Sequence, residues 1–277
     1  MRLARHGTAG AERPLISGAD GTWRDLRPVI GDLTPGTLPT VLEGVDIDTL
    51  PVVESPERFG APLSGIGKIV CIGLNYRQHA AETGAAVPGE PIVFLKTPDT
   101  VVGPDDQVLI PRRSLKTDYE VELAVVIGRE ARYLPDEAAA AGCVAGYAIS
   151  NDISEREFQL ERGGQWDKGK NCETFNPLGP WLLTADEVPD PQTLGLRLSV
   201  NGEPRQNSNT SDMIFGVHQL IRYLSHFMVL RPGDVINTGT PAGVALGLPG
   251  EPYLRAGDVV EVEIDGLGRQ RQTFGQA

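Results

Sequence analysis

The 277-residue chain is long enough to bury one large core, with or without a small appended lobe, and needs no staple to fold. Its 25 Lys and Arg against 37 Asp and Glu give a formal charge of −12, which excludes a general affinity for nucleic acid or anionic lipid and means that an anionic ligand must meet a local cation. Cys71, Cys143 and Cys172 are scattered, odd in number and free of Cys-x-x-Cys spacing, arguing against a disulfide framework or zinc site and fitting a reducing cytoplasm.

At the N-terminus, Arg2, Arg5 and His6 lead into Gly7-Thr8-Ala9-Gly10 rather than an apolar core segment, so no signal peptide is expected. No apolar run approaches the ~20 residues that span a bilayer, so no membrane partner is expected. Residues 1–62 are rich in Gly, Pro, Thr and Asp, with short alternating pieces such as Leu38–Leu42, and predict a small N-terminal lobe or arm with weak strands. The main domain is expected over 63–277. From Lys68 the texture changes to Ile69-Val70-Cys71-Ile72-Gly73, a buried-strand run.

Further strands are predicted at Ile92–Lys96, Gln107–Ile110, Tyr119–Ile127, Val144–Ile149, Trp181–Thr184, Leu194–Val200, Val235–Thr238 and Val259–Ile264. Helices are fewer: Tyr76–Thr83, Pro135–Ala141, Ser154–Arg162 and Ser211–His226, the last opened by Ser211-Asp212 as a cap. Strands dominate without regular βαβ alternation, which predicts a mostly β, α+β fold, rolled or barrel-like, and not a doubly wound sheet.

The most informative stretch is Asp118-Tyr119-Glu120-Val121-Glu122-Leu123, a strand carrying acids at alternate positions before pure apolar core. Residues i and i+2 of a strand share a face about 7 Å apart, close enough for two carboxylates to share one cation. An isolated Glu-x-Glu is more often a solvated strand face paired with Lys or Arg, but here the apolar run beyond it places the acids at the border of the interior. Asp152, in Ile149-Ser150-Asn151-Asp152, adds a third acid at the end of an apolar strand and before a predicted helix, where it reads equally as a cap. Three carboxylates at strand ends suit a hard ion, Mg²⁺ or Mn²⁺, whereas zinc lacks a His or Cys pair.

Gly73-Leu74-Asn75-Tyr76-x-x-His79, then Phe94-Leu95-Lys96, Asp118-Tyr119-Glu120-x-Glu122, Asn151-Asp152, Lys170 and Asn237-Thr238-Gly239-Thr240-Pro241-x-Gly243-Val244 occur in an order that resembles the fumarylacetoacetate hydrolase family over residues 68–265. The resemblance implies a mixed β-sandwich roll, a homodimer, and Mg²⁺ or Mn²⁺ bound by Glu120, Glu122 and Asp152. It also implies that His79 and Glu82 form a water-activating pair on a mobile segment, which their i, i+3 spacing on a helix permits. Lys170, chosen over Lys168 by its offset from Thr174, matches the family's active-site lysine, and Arg156 and Gln159 match substrate contacts. Thr240 sits in a Gly-rich turn whose free N–H groups and hydroxyl are expected to hold a substrate carboxylate; the turn lacks the Lys-Ser/Thr ending of a phosphate loop.

The chemistry the resemblance implies is metal-dependent carbon–carbon bond cleavage in a small 2-oxo acid, and the Gln165-Trp166, Glu173–Trp181 and Asn207–Asp212 segments resemble the branch assigned to 2,4-dioxo sugar-acid hydrolysis or labelled ureidoglycolate lyase, which implies hydrolysis of a 2,4-dioxo acid. Oxaloacetate decarboxylation and isomerisation of a hydroxy-diene-dioate use the same kind of site. A different class of reading is a catalytically silent metal- or metabolite-binding module, against which His79, Glu82 and Lys170 argue because a structural metal needs only the acids.

Overall fold

Apolar runs separated by turns can satisfy their backbone groups only by pairing with one another, and the central run does so on both edges. In the computed structural model, which describes residues 1–56 and 58–277, strand Val121–Ile127 lies antiparallel between Val144–Asn151 and Val235–Asn237. Side chains alternate across it, so Val121, Leu123, Val125 and Ile127 enter one apolar cluster while Ala124 and Val126 enter a second on the other face. Burial on both faces is why the sequence beyond Glu122 shows no polar alternation.

From this centre the large sheet runs one way through Val144–Asn151, Asn176–Thr184, Arg2–His6 and Arg13–Ser17 to Trp23–Asp25, and the other way through Val235–Asn237 and Ile69–Gly73 to Ile92–Lys96. Val235–Asn237 and Ile69–Gly73 pair in parallel. A second sheet orders Glu203–Asn209, Gly195–Val200, Val259–Ile264, Gly268–Gln276 and Val108–Ile110. Its inward Leu196, Leu198, Val260, Val262 and Phe274 join Leu123 and Val125, so the first cluster fills a sandwich between the sheets. The fold is the mostly β, α+β architecture expected, with few and short helices.

The N-terminal segment packs on the opposite face of the large sheet. Leu3, Ile16, Leu26, Leu33, Leu38 and Val41 share the second cluster with Cys71, Ala124, Val126 and Ala148, so residues 1–62 extend the sheet and close its back.

Several local expectations change in the fold. Leu38–Leu42 is a short helix, with Pro39 in the first turn where its missing N–H costs nothing. Ser154–Arg162 is not one helix: Ser154–Glu155 is recruited as a strand by Thr117–Asp118, and a single wide turn of helix follows at Glu157–Glu161. The predicted helix Ser211–His226 begins only at Val217, after a separate turn at Thr210–Asp212. Asp212 caps another element, since its carboxylate accepts from the Gln78 N–H at 3.1 Å in the first turn of helix Arg77–Glu82.

Leu198 is fully within the sandwich core and remote in sequence from the acidic stretch. Leu198→Ala should therefore cost about 2–5 kcal/mol of stability, read as a lower denaturation midpoint at unchanged slope, while Mg²⁺ affinity by calorimetry stays as in the wild type.

Candidate active site

Glu122 is the second residue of the central strand, Glu120 lies just before it, and Asp152 follows the neighbouring strand Val144–Asn151. Antiparallel pairing of Val121 with Asn151 brings these strand ends together, and the Asp152 N–H donates to the Glu120 carbonyl at 2.9 Å. One carboxylate oxygen from each of Glu120, Glu122 and Asp152 lies within 4.8 Å of the others, and all three residues are buried. Asp152 precedes strand Ser154–Glu155, not the helix expected there.

So many buried acids require cations. Lys170 Nζ sits 2.8 Å from both Glu120 and Asp152, Lys96 Nζ 2.6 Å from the other oxygen of Asp152, and Arg156 bridges Glu120 at 2.7 Å and Asp118 at 2.8 Å. Burial works against charge on Glu120, but the adjacent Lys170 and Arg156 hold its carboxyl down to about 2. Lys170 is held protonated, above the ordinary lysine range, because Asp152 and Glu120 outweigh its burial.

Glu122 is different. Among the described residues it forms no ion pair, and its only hydrogen bond is from the Gly239 N–H at 2.8 Å. Burial, followed by the like charges of Asp152 and Glu120, pushes its carboxyl well above the usual range. Four acids (Asp118, Glu120, Glu122, Asp152) face three cations (Lys96, Arg156, Lys170), and the unmatched charge belongs to a member of the oxygen triad. A divalent cation fits this donor set, because the ligands are hard oxygens and positive charge is what the cluster lacks.

His79 and Glu82 lie on helix Arg77–Glu82, with His79 Nδ1 at 3.3 Å from Glu82 Oε2. A six-residue helix is too short to persist alone, and this one is held by the Asp212 cap and by Glu82 itself. Both Glu82 oxygens accept the Gly243 N–H, at 3.0 and 3.1 Å, and Gly247 packs directly on the Glu82 carboxylate, where any Cβ would overlap it. Part of the Gly-rich turn expected to meet a substrate is engaged within the protein, although Thr240 itself lines the cavity. Gly239 N–H holds Glu122, Gly243 N–H holds Glu82, and the Thr240 hydroxyl donates to the Val121 carbonyl at 3.0 Å while accepting from Gln206. Two of the turn's N–H groups thus position protein carboxylates.

A cavity of about 220 Å³ opens onto the triad, small against the ~300–1,000 Å³ of drug-sized sites. Its lining brings together His79, Glu120, Glu122, Arg156, Gln159, Lys170 and Thr240; Asp152 reaches the site from behind, through Lys170 and Lys96. Arg156 and Gln159 are buried and bonded to each other at 3.0 Å, and are not a helix-surface pair. Lys170 is buried whereas Lys168 is exposed and donates to the Arg162 carbonyl, so only the former faces the acids.

Two residues of the cluster stand in the quoted motifs but were given no role in the sequence reading. Lys96 ends strand Ile92–Lys96, and period-two alternation with buried Phe94 was the signal that it points inward. Asp118 lies two residues before Glu120; it orients Arg156 and also accepts the Ala245 and Leu246 N–H groups, at 2.8 and 3.1 Å.

Residues 68–275 match the fumarylacetoacetate (FAA) hydrolase C-terminal family model. A Burkholderia multivorans protein provisionally named a hydrolase is 53% identical over 277 residues, 98% of each chain. Fumarylacetoacetate hydrolase from psychrophilic Exiguobacterium antarcticum superposes with a TM-score of 0.88 at 34% identity over the whole of both chains. Maleylpyruvate hydrolase from Sphingobium sp. SYK-6 gives 0.80 at 29% over both whole chains, and 2-hydroxyhepta-2,4-diene-1,7-dioate isomerase from Mycobacterium marinum 0.75 at 31% over 100% of this chain and 98% of that one. Among the described residues no helix is long and apolar enough to cross a membrane.

Glu122→Gln replaces the one triad acid that lacks a cation with a permanently neutral group of the same shape. The metal-free variant should be at least as stable as the metal-free wild type, and Mg²⁺ should no longer raise its Tm; a proton release seen on metal binding to the wild type near pH 7, measured by calorimetry in two buffers, should vanish with it. Gly247→Ala should displace Glu82 from His79 and lower turnover about 10²–10⁴-fold with Mg²⁺ affinity retained, checked by steady-state kinetics beside metal titration.

Proposed function

The chain belongs to the fumarylacetoacetate hydrolase family, and from that premise we propose that it hydrolyses a carbon–carbon bond in a 2,4-dioxo acid and releases a 2-oxo acid such as pyruvate. Its solved neighbours are enzymes by name, hydrolases and isomerases, so fold alone does not choose the reaction. The observation that supports hydrolysis is the His79–Glu82 pair placed on the same small cavity as the triad. Decarboxylation of a 3-oxo acid requires only a proton returned to its enolate, so a base placed to activate water is used in full by hydrolysis.

Glu120, Glu122 and Asp152 would hold the divalent ion, Mg²⁺ or Mn²⁺. When bound, the ion supplies Lewis-acid polarisation of the 2-oxo acid's oxygens. His79, oriented by Glu82, takes a proton from water as the water oxygen adds to the carbonyl at C4. Gly243 fixes Glu82, so the imidazole is presented in one orientation to the cavity. The C3–C4 bond then breaks, its electron pair moving toward C3 and the C2 oxygen as the enolate of the 2-oxo acid, and the other fragment departs as a carboxylic acid. Lys170, held protonated, faces this developing charge, and Arg156 with Gln159 steadies the substrate carboxylate. A proton returned to C3 completes the 2-oxo acid, so one water is consumed and the atoms balance.

The test is an assay of acetylpyruvate for pyruvate and acetate, beside oxaloacetate for CO₂, with Mg²⁺ or Mn²⁺. Pyruvate release should dominate, and His79→Ala should lower it about 10²–10⁴-fold without changing metal affinity. Faster CO₂ release that survives His79→Ala would make the protein a decarboxylase, and tight metal binding without turnover of either acid would make it a silent module.

A further inference from the structure

We propose that the substrate carries a single carboxylate and that its tail, beyond the reacting carbonyls, is uncharged and apolar, a short alkyl or aryl group; this rests on the hydrolytic reading of the same cavity. The ionisable side chains of the lining are His79, assigned above as the base, with Glu120, Glu122, Arg156 and Lys170. Both cations among them are already shared between two acids each, Arg156 with Asp118 and Glu120, Lys170 with Glu120 and Asp152. They suffice for one substrate carboxylate beside the triad and leave nothing for a second.

Apart from the uncharged polar Thr83, Gln159 and Thr240, the rest of the wall is apolar, chiefly Leu74, Phe94, Leu160, Trp166 and Leu246. Phe94 marks the border, with its ring centroid 5.0 Å from Lys170 Nζ on one side and 5.6 Å from the Trp166 ring on the other. Two backbone features serve this wall. Gly73 has no Cβ where one would lie 2.5 Å from Trp166, so the indole can close over the strand end. Leu74 stands at φ 48°, a left-handed conformation costly for a branched side chain and kept beside the cavity. Leu160 is 44% exposed next to buried Gln159, an apolar side chain facing solvent at the lining's edge. The basic residues nearest in sequence are engaged elsewhere: Arg162 pairs with Glu157, and Lys168 donates to the Arg162 carbonyl. Neither lines the cavity. A second carboxylate entering here would lose its hydration without meeting a cation, whereas each methylene removed from water favours binding by about fourfold.

The experiment compares kcat/KM of the full-length Mg²⁺-loaded enzyme for 2,4-dioxopentanoate, 2,4-dioxoheptanoate and 2,4-dioxoheptanedioate, the last two matched in length. Efficiency should rise about tenfold or more from the pentanoate to the heptanoate and fall at least about 100-fold from the heptanoate to the dioate. Leu160→Arg, at an exposed position, should narrow that gap at least about tenfold. A dioate that matches or exceeds the heptanoate, or a gap unchanged in Leu160→Arg, overturns the apolar tail assignment while hydrolysis stands. Release of pyruvate from none of the three overturns the hydrolytic reading and the inference with it.

Discussion

Buried carboxylates repel one another and lose hydration, so a fold that gathers them must supply positive charge or leave them protonated. Here antiparallel strands built for an apolar core end together at Glu120, Glu122 and Asp152, with Asp118 just behind, and the interior answers with Lys96, Arg156 and Lys170. The answer is one charge short. That shortfall falls on Glu122, whose partner is a backbone N–H, and it gives the cluster its capacity for a divalent ion. Replacing a buried charge network by apolar residues often stabilises a protein, so this network adds little to stability by itself.

The remainder of the site is arranged around that cluster by groups remote in sequence. Asp212 caps the short helix that carries His79, and the turn at 239–247 grips the carboxylates of Glu122 and Glu82 through Gly239 and Gly243. A helix of six residues owes its stability to such tertiary holds, so the position of His79 depends on contacts made from outside its own helix. The same turn therefore links the acid floor of the cavity to the imidazole above it.

Much of the fold was legible where burial is uniform. The runs Ile69–Gly73, Ile92–Lys96 and Val259–Ile264 are strands at the predicted limits because side chains on a pleated surface alternate or, in the double-sided core, stay apolar throughout. Reading failed where a long-range partner overrode local preference. Ser154–Glu155 pairs with Thr117–Asp118 in place of opening a helix, and Asp212 caps a helix more than a hundred residues away instead of its own. Strands Glu203–Asn209 and Gly268–Gln276 were missed because their residues are largely polar, and their pairing is dictated by neighbours in the second sheet.

For the site, the sequence by itself determined three carboxylates, Glu120, Glu122 and Asp152, at strand ends; the roles of His79, Glu82 and Lys170 came from the resemblance to the family. Family membership followed from the order of those motifs along the chain. Only the tertiary structure decided the balance among them. Lys96 and Asp118 entered the cluster, Lys168 lay outside it, and the Gly239 and Gly243 N–H groups went to protein carboxylates. Charge compensation in an interior depends on which side chains share a few ångströms of low-dielectric space, and spacing along a chain carries no record of that.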